Sequence, residues 1–308
     1  MYWIASLFDR AADWLFAPAP AIVAGILRIG IGIMTLFWLM LYAGNLQAFF
    51  GPEGMLSVKW VQSFEPARFS LFFFYDSMWF VYLLFAVLVV VAMCFTLGIW
   101  SRYACVVLYI LFISFVSRFN FVRSGGEDVL TIGIFCCLFL ETDRALTFRW
   151  FQRFVPTKET VQGWPLRFMQ YNLLVILFFT VMAKLQESQW FAGTIMADIL
   201  VWQVATFNFT WLTRFPVIPT FLNYFTIVVE LLAPFTMWSL RTHRATLIAL
   251  TLLMLGISSM MNVTHFTNAM LVCLPCFINQ DDLDGLSRLG LWIKTNLRSL
   301  LPASANNA

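Results

Sequence analysis

Eight apolar stretches, each at or near the length that crosses a bilayer, occupy most of this 308-residue chain. They fall at 21–43, 77–99, 103–117, 129–142, 168–187, 221–240, 245–262 and 266–279, bounded by charges and turn residues and read against about 20 residues per helical crossing. Composition agrees: 61% of residues are hydrophobic and 11% charged, where soluble domains carry about 25% charged residues. The fold class that follows is all-α, a polytopic integral membrane helical bundle of about eight spans. The fourth and eighth stretches are short enough that either could be re-entrant.

The flanks differ in character. Residues 1–17 carry Asp9, Arg10 and Asp13 among apolar positions, which argues against a removable signal peptide. Trp3, Leu7 and Trp14 suit an interfacial amphipathic helix, and Leu289, Trp292, Ile293, Leu297 and Leu300 in residues 286–301 suit a second. The run from Phe191 to Phe209 is aromatic but broken by Asp198 and amides, so it reads as a helix lying in the interface. The expected division is an N-terminal interfacial segment over 1–20, a membrane domain over 21–280 and an interfacial tail over 281–308. No composition change marks a linker, and no internal repeat is visible.

Basic residues set the orientation. The side holding both termini carries Arg10, Arg102, Arg144, Arg149, Arg153, Lys158, Arg167, Arg241, Arg244, Arg288, Lys294 and Arg298, and the other carries Lys59, Arg68, Arg118, Arg123 and Arg214. Twelve against five places both termini in the cytoplasm of a cell whose inner membrane holds the chain. The net charge of +3 then serves juxtamembrane anchoring to the lipid bilayer, and nothing resembles a nucleic-acid surface.

Polar groups inside the membrane are costly and so point to function. Asp128 opens the fourth span after Ser124-Gly125-Gly126-Glu127, Lys184 closes the fifth, and Asn262 and His265 fall between the seventh and eighth. All four belong near one face of the membrane. A lysine removed from water gives up its proton more readily, which is how enzymes obtain a lysine base. A lysine near a helix end also snorkels to headgroups routinely, and the residues alone leave the two readings open. Arg28 and Glu230 lie deeper, and a structural ion pair between their helices is expected. His243 falls in a basic turn and is expected to be solvated, while Glu141 and Asp143 are expected to pair with Arg144. Cys94, Cys105, Cys136, Cys137, Cys273 and Cys276 all lie within spans, which argues against disulfides. Cys273-Leu274-Pro275-Cys276 has the spacing of a redox motif, though small core residues are the commoner use. No metal site is expected.

The residues carry a resemblance. Ala183-Lys184-Leu185 followed by Trp190 and Gly193 resembles the Lys-Leu-(four residues)-Trp-(two residues)-Gly signature of the HTTM family, the transmembrane module shared with vitamin K-dependent gamma-carboxylases. Arg28, Gly51-Pro52-Glu53-Gly54-Met55-Leu56, Leu97-Gly98 with Arg102, Gly125-Gly126-Glu127-Asp128, Glu230-Leu231 and Met261-Asn262 with His265-Phe266 follow in the family's order. The resemblance implies Lys184 as the base that starts oxidation of a vitamin K hydroquinone or other quinol. Asp128, Asn262 and His265 would orient it, and Trp190 and Glu127 would hold the cofactor. At the position of Asp128 the animal carboxylases have a histidine. About 29 residues follow the last span, fewer than the carboxylases' extra-membrane domain needs, so a co-encoded partner protein is expected. Some bacterial members of the family, among them the sporulation-delaying toxin maturation proteins, help mature a secreted peptide. The expected function is therefore modification or maturation of a secreted protein or peptide. Other classes stay open: a noncatalytic partner in maturation or export, a lipid or small-molecule transporter, or a thiol–quinone oxidoreductase. Paired short broken helices of the kind that mark many transporters are not evident.

Overall fold

The computed structural model describes residues 2–64, 66–118, 124–148, 157–202, 205–207 and 209–300. Arg123, Arg149, Arg153, residues 301–308 and the side chains of Trp3, Leu7, Ile293, Lys294, Leu297, Arg298 and Leu300, all used in the sequence reading, lie outside the description. Helices dominate: α1 (Tyr2–Phe16), α2 (Ala21–Ala43), α3 (Leu46–Phe50), α4 (Val58–Phe64), α5 (Met78–Leu97), α6 (Ser101–Arg118), α7 (Gly125–Phe139) and α8 (Trp164–Lys184). They continue as α9 (Ser188–Ala192), α10 (Ile195–Val201), α11 (Val217–Thr236), α12 (His243–Met260), α13 (Thr264–Cys273), extended by a 3-10 turn over Leu274–Phe277, and α14 (Gln280–Leu300). Two-residue strands β1 (Ala19–Pro20) and β2 (Thr160–Val161) pair antiparallel, Ala19 opposite Val161.

Among the described residues six helices, α2, α5, α6, α8, α11 and α12, are long and apolar enough to cross a membrane, with mean hydropathy from 1.3 to 2.8. The fourth and eighth stretches become α7, with 15 residues, and α13 with its turn. Neither re-enters. At one end Gly126 of α7 lies against His265 and Phe266 at the start of α13. At the other, Thr142 beyond α7 accepts from Arg28 near the start of α2, and the Cys276 carbonyl accepts from Gln170 near the start of α8. Both segments therefore run from one end of the bundle to the other. α7 covers only about 22 Å at 1.5 Å per residue, and the irregular backbone that follows it is buried in protein at Leu140 and Thr142 and not in lipid.

Helix neighbours divide the bundle into two halves that share α7. In one, α2 packs on α5, α5 on α6, α6 on α7 and α7 back on α2. In the other, α7, α8, α11, α12 and α13 close a ring. The first half is solid between its helices, its hollows lying only at its ends, around residues 138–144 and 43–48. Trp38 is fully buried there, its ring 5.2 Å from Phe112 and 4.7 Å from Tyr42, and such offset and edge contacts add to the gain from burial.

Arg28 is also fully buried in that half, and the expected Arg28–Glu230 pair does not form. Arg28 Nη1 donates to the carbonyls of Thr142 (2.6 Å) and Ala145 (3.3 Å) and to Thr147 Oγ1 (3.3 Å), while Nη2 donates to the Leu146 carbonyl at 2.8 Å. The guanidinium thus satisfies a turn that the helices leave without partners. Geometry explains the miss: α2 packs on α5, α7 and α13, whereas α11 packs on α8 and α12. Gly98, at φ +77°, caps α5 beside this site, and a Cβ there would lie 2.8 Å from Arg28 Nη1. Both conformation and space require glycine. Arg118, counted above among the basic residues of the side away from the termini, is likewise fully buried and donates to the Gly51 and Leu56 carbonyls.

Three further expectations meet the structure. His243 is not solvated: its Nδ1 lies 3.0 Å from the Met237 carbonyl and its Nε2 3.3 Å from Asp282 Oδ2, because α14 folds back over the start of α12. Arg144 does sit beside Glu141 and Asp143, at 3.4 and 3.7 Å. The run from Phe191 to Phe209 is not one helix, since Gly193 at φ +71° separates α9 from α10.

Candidate functional site

The ring half is hollow at the end where α8 and α12 finish and α7 and α13 begin. A cavity of about 430 Å³ opens there, walled by Met196, Ile199, Met254, Ile257, Met261 and Phe266. Polar groups break this apolar wall at Thr180, Lys184, Thr226, Glu230, Asn262 and His265. The segment carrying α9 and α10 covers one side. Asn223 of α11 donates to the Trp190 carbonyl at 2.8 Å and the Tyr224 hydroxyl to the Phe191 carbonyl at 2.7 Å, fixing that cover to α11.

Lys184, the last residue of α8, turns inward and not toward the bundle's end. Its Nζ donates to both carboxylate oxygens of Glu230, at 2.5 and 2.6 Å, and lies 5.1 Å over the centre of the Trp190 ring. The Glu230 side chain is 3% exposed and that of Lys184 18%, so the pair is held largely away from water. Depth accounts for the pairing. α11 begins beyond the end of α8, level with the turn at Trp190, so Glu230 sits about two turns below Asn223, within reach of the lysine. Sequence reasoning named both residues but gave Glu230 to Arg28, because position along a span does not reveal which spans are neighbours.

A second carboxylate stands behind the opposite wall. Glu127 is 3% exposed in its side chain and forms a capping box with Ser124: its Oε2 accepts from the Ser124 backbone N–H at 2.9 Å and the hydroxyl at 2.6 Å. Its Oε1 accepts from Trp38 Nε1 at 3.0 Å and lies 3.7 Å from His265 Nε2. Gly126 makes this approach possible, since a Cβ there would fall 2.5 Å from His265 Cδ2. Both His265 ring nitrogens are buried, and among the described residues neither has a hydrogen-bond partner. A buried polar atom left without a partner costs about 1–3 kcal/mol.

Of the residues singled out in the sequence, the cavity brings together Lys184, Trp190, Glu230, Asn262 and His265. Asn262 is exposed at the rim. Asp128 does not join them: it lies half-buried in the first turn of α7, where Ser124 and Gly125 line the cavity instead. Glu127 stands behind His265 and not at the cavity wall. Cys273 and Cys276 are free and buried at the other end of the bundle, enclosed away from the partners that thiol exchange requires. Among the described residues no three His, Cys, Asp or Glu side chains group as a metal site would need.

A family model described as the HTTM domain matches residues 16–281. No curated protein and no solved structure matches the chain.

Proposed function

The chain belongs to the HTTM family, and on that premise we propose that it modifies or matures a secreted protein or peptide, with Lys184 as general base in the cavity. The observation that carries this reading is the inward turn of Lys184 onto Glu230 and Trp190. A headgroup anchor would place the amine in water. Here the amine faces an apolar chamber large enough for a small molecule, beside a carboxylate able to exchange a proton with it. Passing a proton within the pair leaves the total charge of the cavity unchanged, and the neutral form it produces is the one that burial favours. His265, positioned by Glu127, supplies a second proton-transfer group on the opposite wall, and Asn262 at the rim orients what enters. Asp128 acts on this site only from the first turn of α7.

The cavity fits a quinol: its apolar wall suits a ring, and the Lys184–Glu230 pair and the open nitrogens of His265 suit hydroxyl groups. Trp190, Lys184 and His265 would hold it, and such a cofactor would supply the redox chemistry that these side chains lack. The positive-inside excess of basic residues supports an inner-membrane protein with cytoplasmic termini and the cavity facing outward. The units 1–20, 21–280 and 281–308 are proposed as interfacial segment, membrane domain and tail.

Purified protein in nanodiscs, given a reduced vitamin K-type naphthoquinol, is expected to consume oxygen. Lys184→Arg keeps the charge but not the ability to act as a base, since arginine holds its proton below about pH 12. It should insert normally and lose the activity. If Lys184→Arg keeps full activity, Lys184 is a fixed charge and not the base; if the wild-type protein consumes no oxygen, the noncatalytic role in maturation replaces the catalytic one.

A further inference from the structure

We infer that the cavity has an apolar side groove built for one hydrocarbon chain, and that the ligand of this site is a lipid-tailed molecule entering sideways from the bilayer between α11 and α12. The inference rests on the cavity being a ligand site. A second hollow, of about 90 Å³, is well below the roughly 300 Å³ of an independent small-molecule pocket. It is an extension of the first. The two share Met196, Thr226, Ile257 and Met261, and the groove then passes between Leu222 and Phe225 of α11 and Leu252 and Gly256 of α12.

Its chemistry excludes a polar occupant. Every side chain along it is hydrocarbon or thioether except Thr226, and that hydroxyl is engaged with the Leu222 carbonyl at 2.9 Å. A water or a polar group placed there would lose hydrogen bonds without replacement. Gly256 makes the space: a Cβ built there meets no atom within 4 Å. The mouth lies on the lipid-facing surface, where Leu252 and Leu255 are 59% and 51% exposed. Gly256 stands four residues before the end of α12, about 6 Å along the helix, so the opening sits below the polar rim of the bundle. Methionines at the junction, flexible and polarizable, suit a chain of variable shape. The polar cluster at Lys184 and this dry groove together describe an amphiphile with a hydrogen-bonding head and a single tail.

The test compares two probes on the protein in nanodiscs: a naphthoquinol bearing a long diazirine-labelled alkyl tail, and the same head group with a methyl in place of the tail. Photolabelling by the tailed probe should map to 222–226 and 252–257. Gly256→Phe fills the groove and should weaken the tailed probe about tenfold or more, the effect of excluding two methylenes from an apolar site. The tail-less probe should bind as to wild type. Leu252→Trp, at the exposed mouth, gives the same discrimination should Gly256→Phe fail to insert. If neither probe binds wild-type protein, the cavity is not a head-group site and the groove inference falls with it. If both bind wild type but the variants weaken both equally, or neither, the cavity stands and the groove is wrong. Label spread evenly over all lipid-facing helices would also overturn it, leaving only bulk lipid in the crevice.

Discussion

The two halves of the bundle both bury a cation and satisfy it in opposite ways. In the solid half Arg28, which cannot lose its proton in a protein, donates to carbonyls and a hydroxyl in the 142–147 turn. In the hollow half Lys184, a titratable amine, is matched by the carboxylate of Glu230 and faces open volume. A fixed charge on fixed dipoles makes a staple. Two titratable groups beside a cavity make a site where a proton can move. Burial of a charge alone therefore does not distinguish structure from chemistry; the partner and the space around it do.

The largest effect should come from the solid half. Arg28→Met removes four hydrogen bonds and leaves the 142–147 turn unsatisfied, so membrane-inserted yield should collapse, with a stability loss of about 3 kcal/mol or more. Adding Glu230→Gln should rescue none of it, and any rescue would mean the two residues are coupled after all. In the hollow half, Lys184→Met and Glu230→Gln each strand one partner. The double variant should be more stable than their summed losses predict, by a coupling of about 2 kcal/mol in a thermal cycle. Simple additivity would remove the ion pair from the energetic account and weaken the contrast.

Smaller changes sharpen the comparison. Trp38→Phe keeps the aromatic packing but takes one donor from Glu127, at a cost of about 1–3 kcal/mol; an unchanged melting temperature would show that Glu127 does not depend on the solid half. The Glu141–Lys158 contact, 2.7 Å and exposed at the opposite end, is the control. A hydrogen bond from Lys158 holds the Glu141 carboxyl below its ordinary range, so its contribution is present at neutral pH and fades as pH falls through that lowered value. Lys158→Ala should cost less than about 1 kcal/mol, and its difference from wild type should vanish in acid.

Much of the fold was legible because lipid imposes length and hydropathy on every span, and helix direction alternates from one span to the next. That arithmetic also placed the ends of α8 and α12 and the start of α13 at one level, which is why Lys184, Asn262 and His265 could be grouped. Lateral neighbours leave no such trace, so Glu230 was assigned to the wrong cation. The acceptors of Arg28 are mostly backbone carbonyls, which have no sequence signature at all. Glu127 and Asp128 are adjacent carboxylates about 100° apart around a helix, and composition could not choose the one that stands behind His265.

The staple at Arg28 also sets a schedule for the ribosome. Thr142, its nearest acceptor, lies 114 residues downstream, so at about 5–20 residues per second the newly made first span waits roughly 6–23 seconds with its guanidinium unmatched. An arginine at the centre of a span opposes release into lipid by about 2.5–3.5 kcal/mol, and one nearer the end, like Arg28, by less. The first span is thus the earliest to be synthesised, yet its arginine gains these partners only after the fourth has followed it.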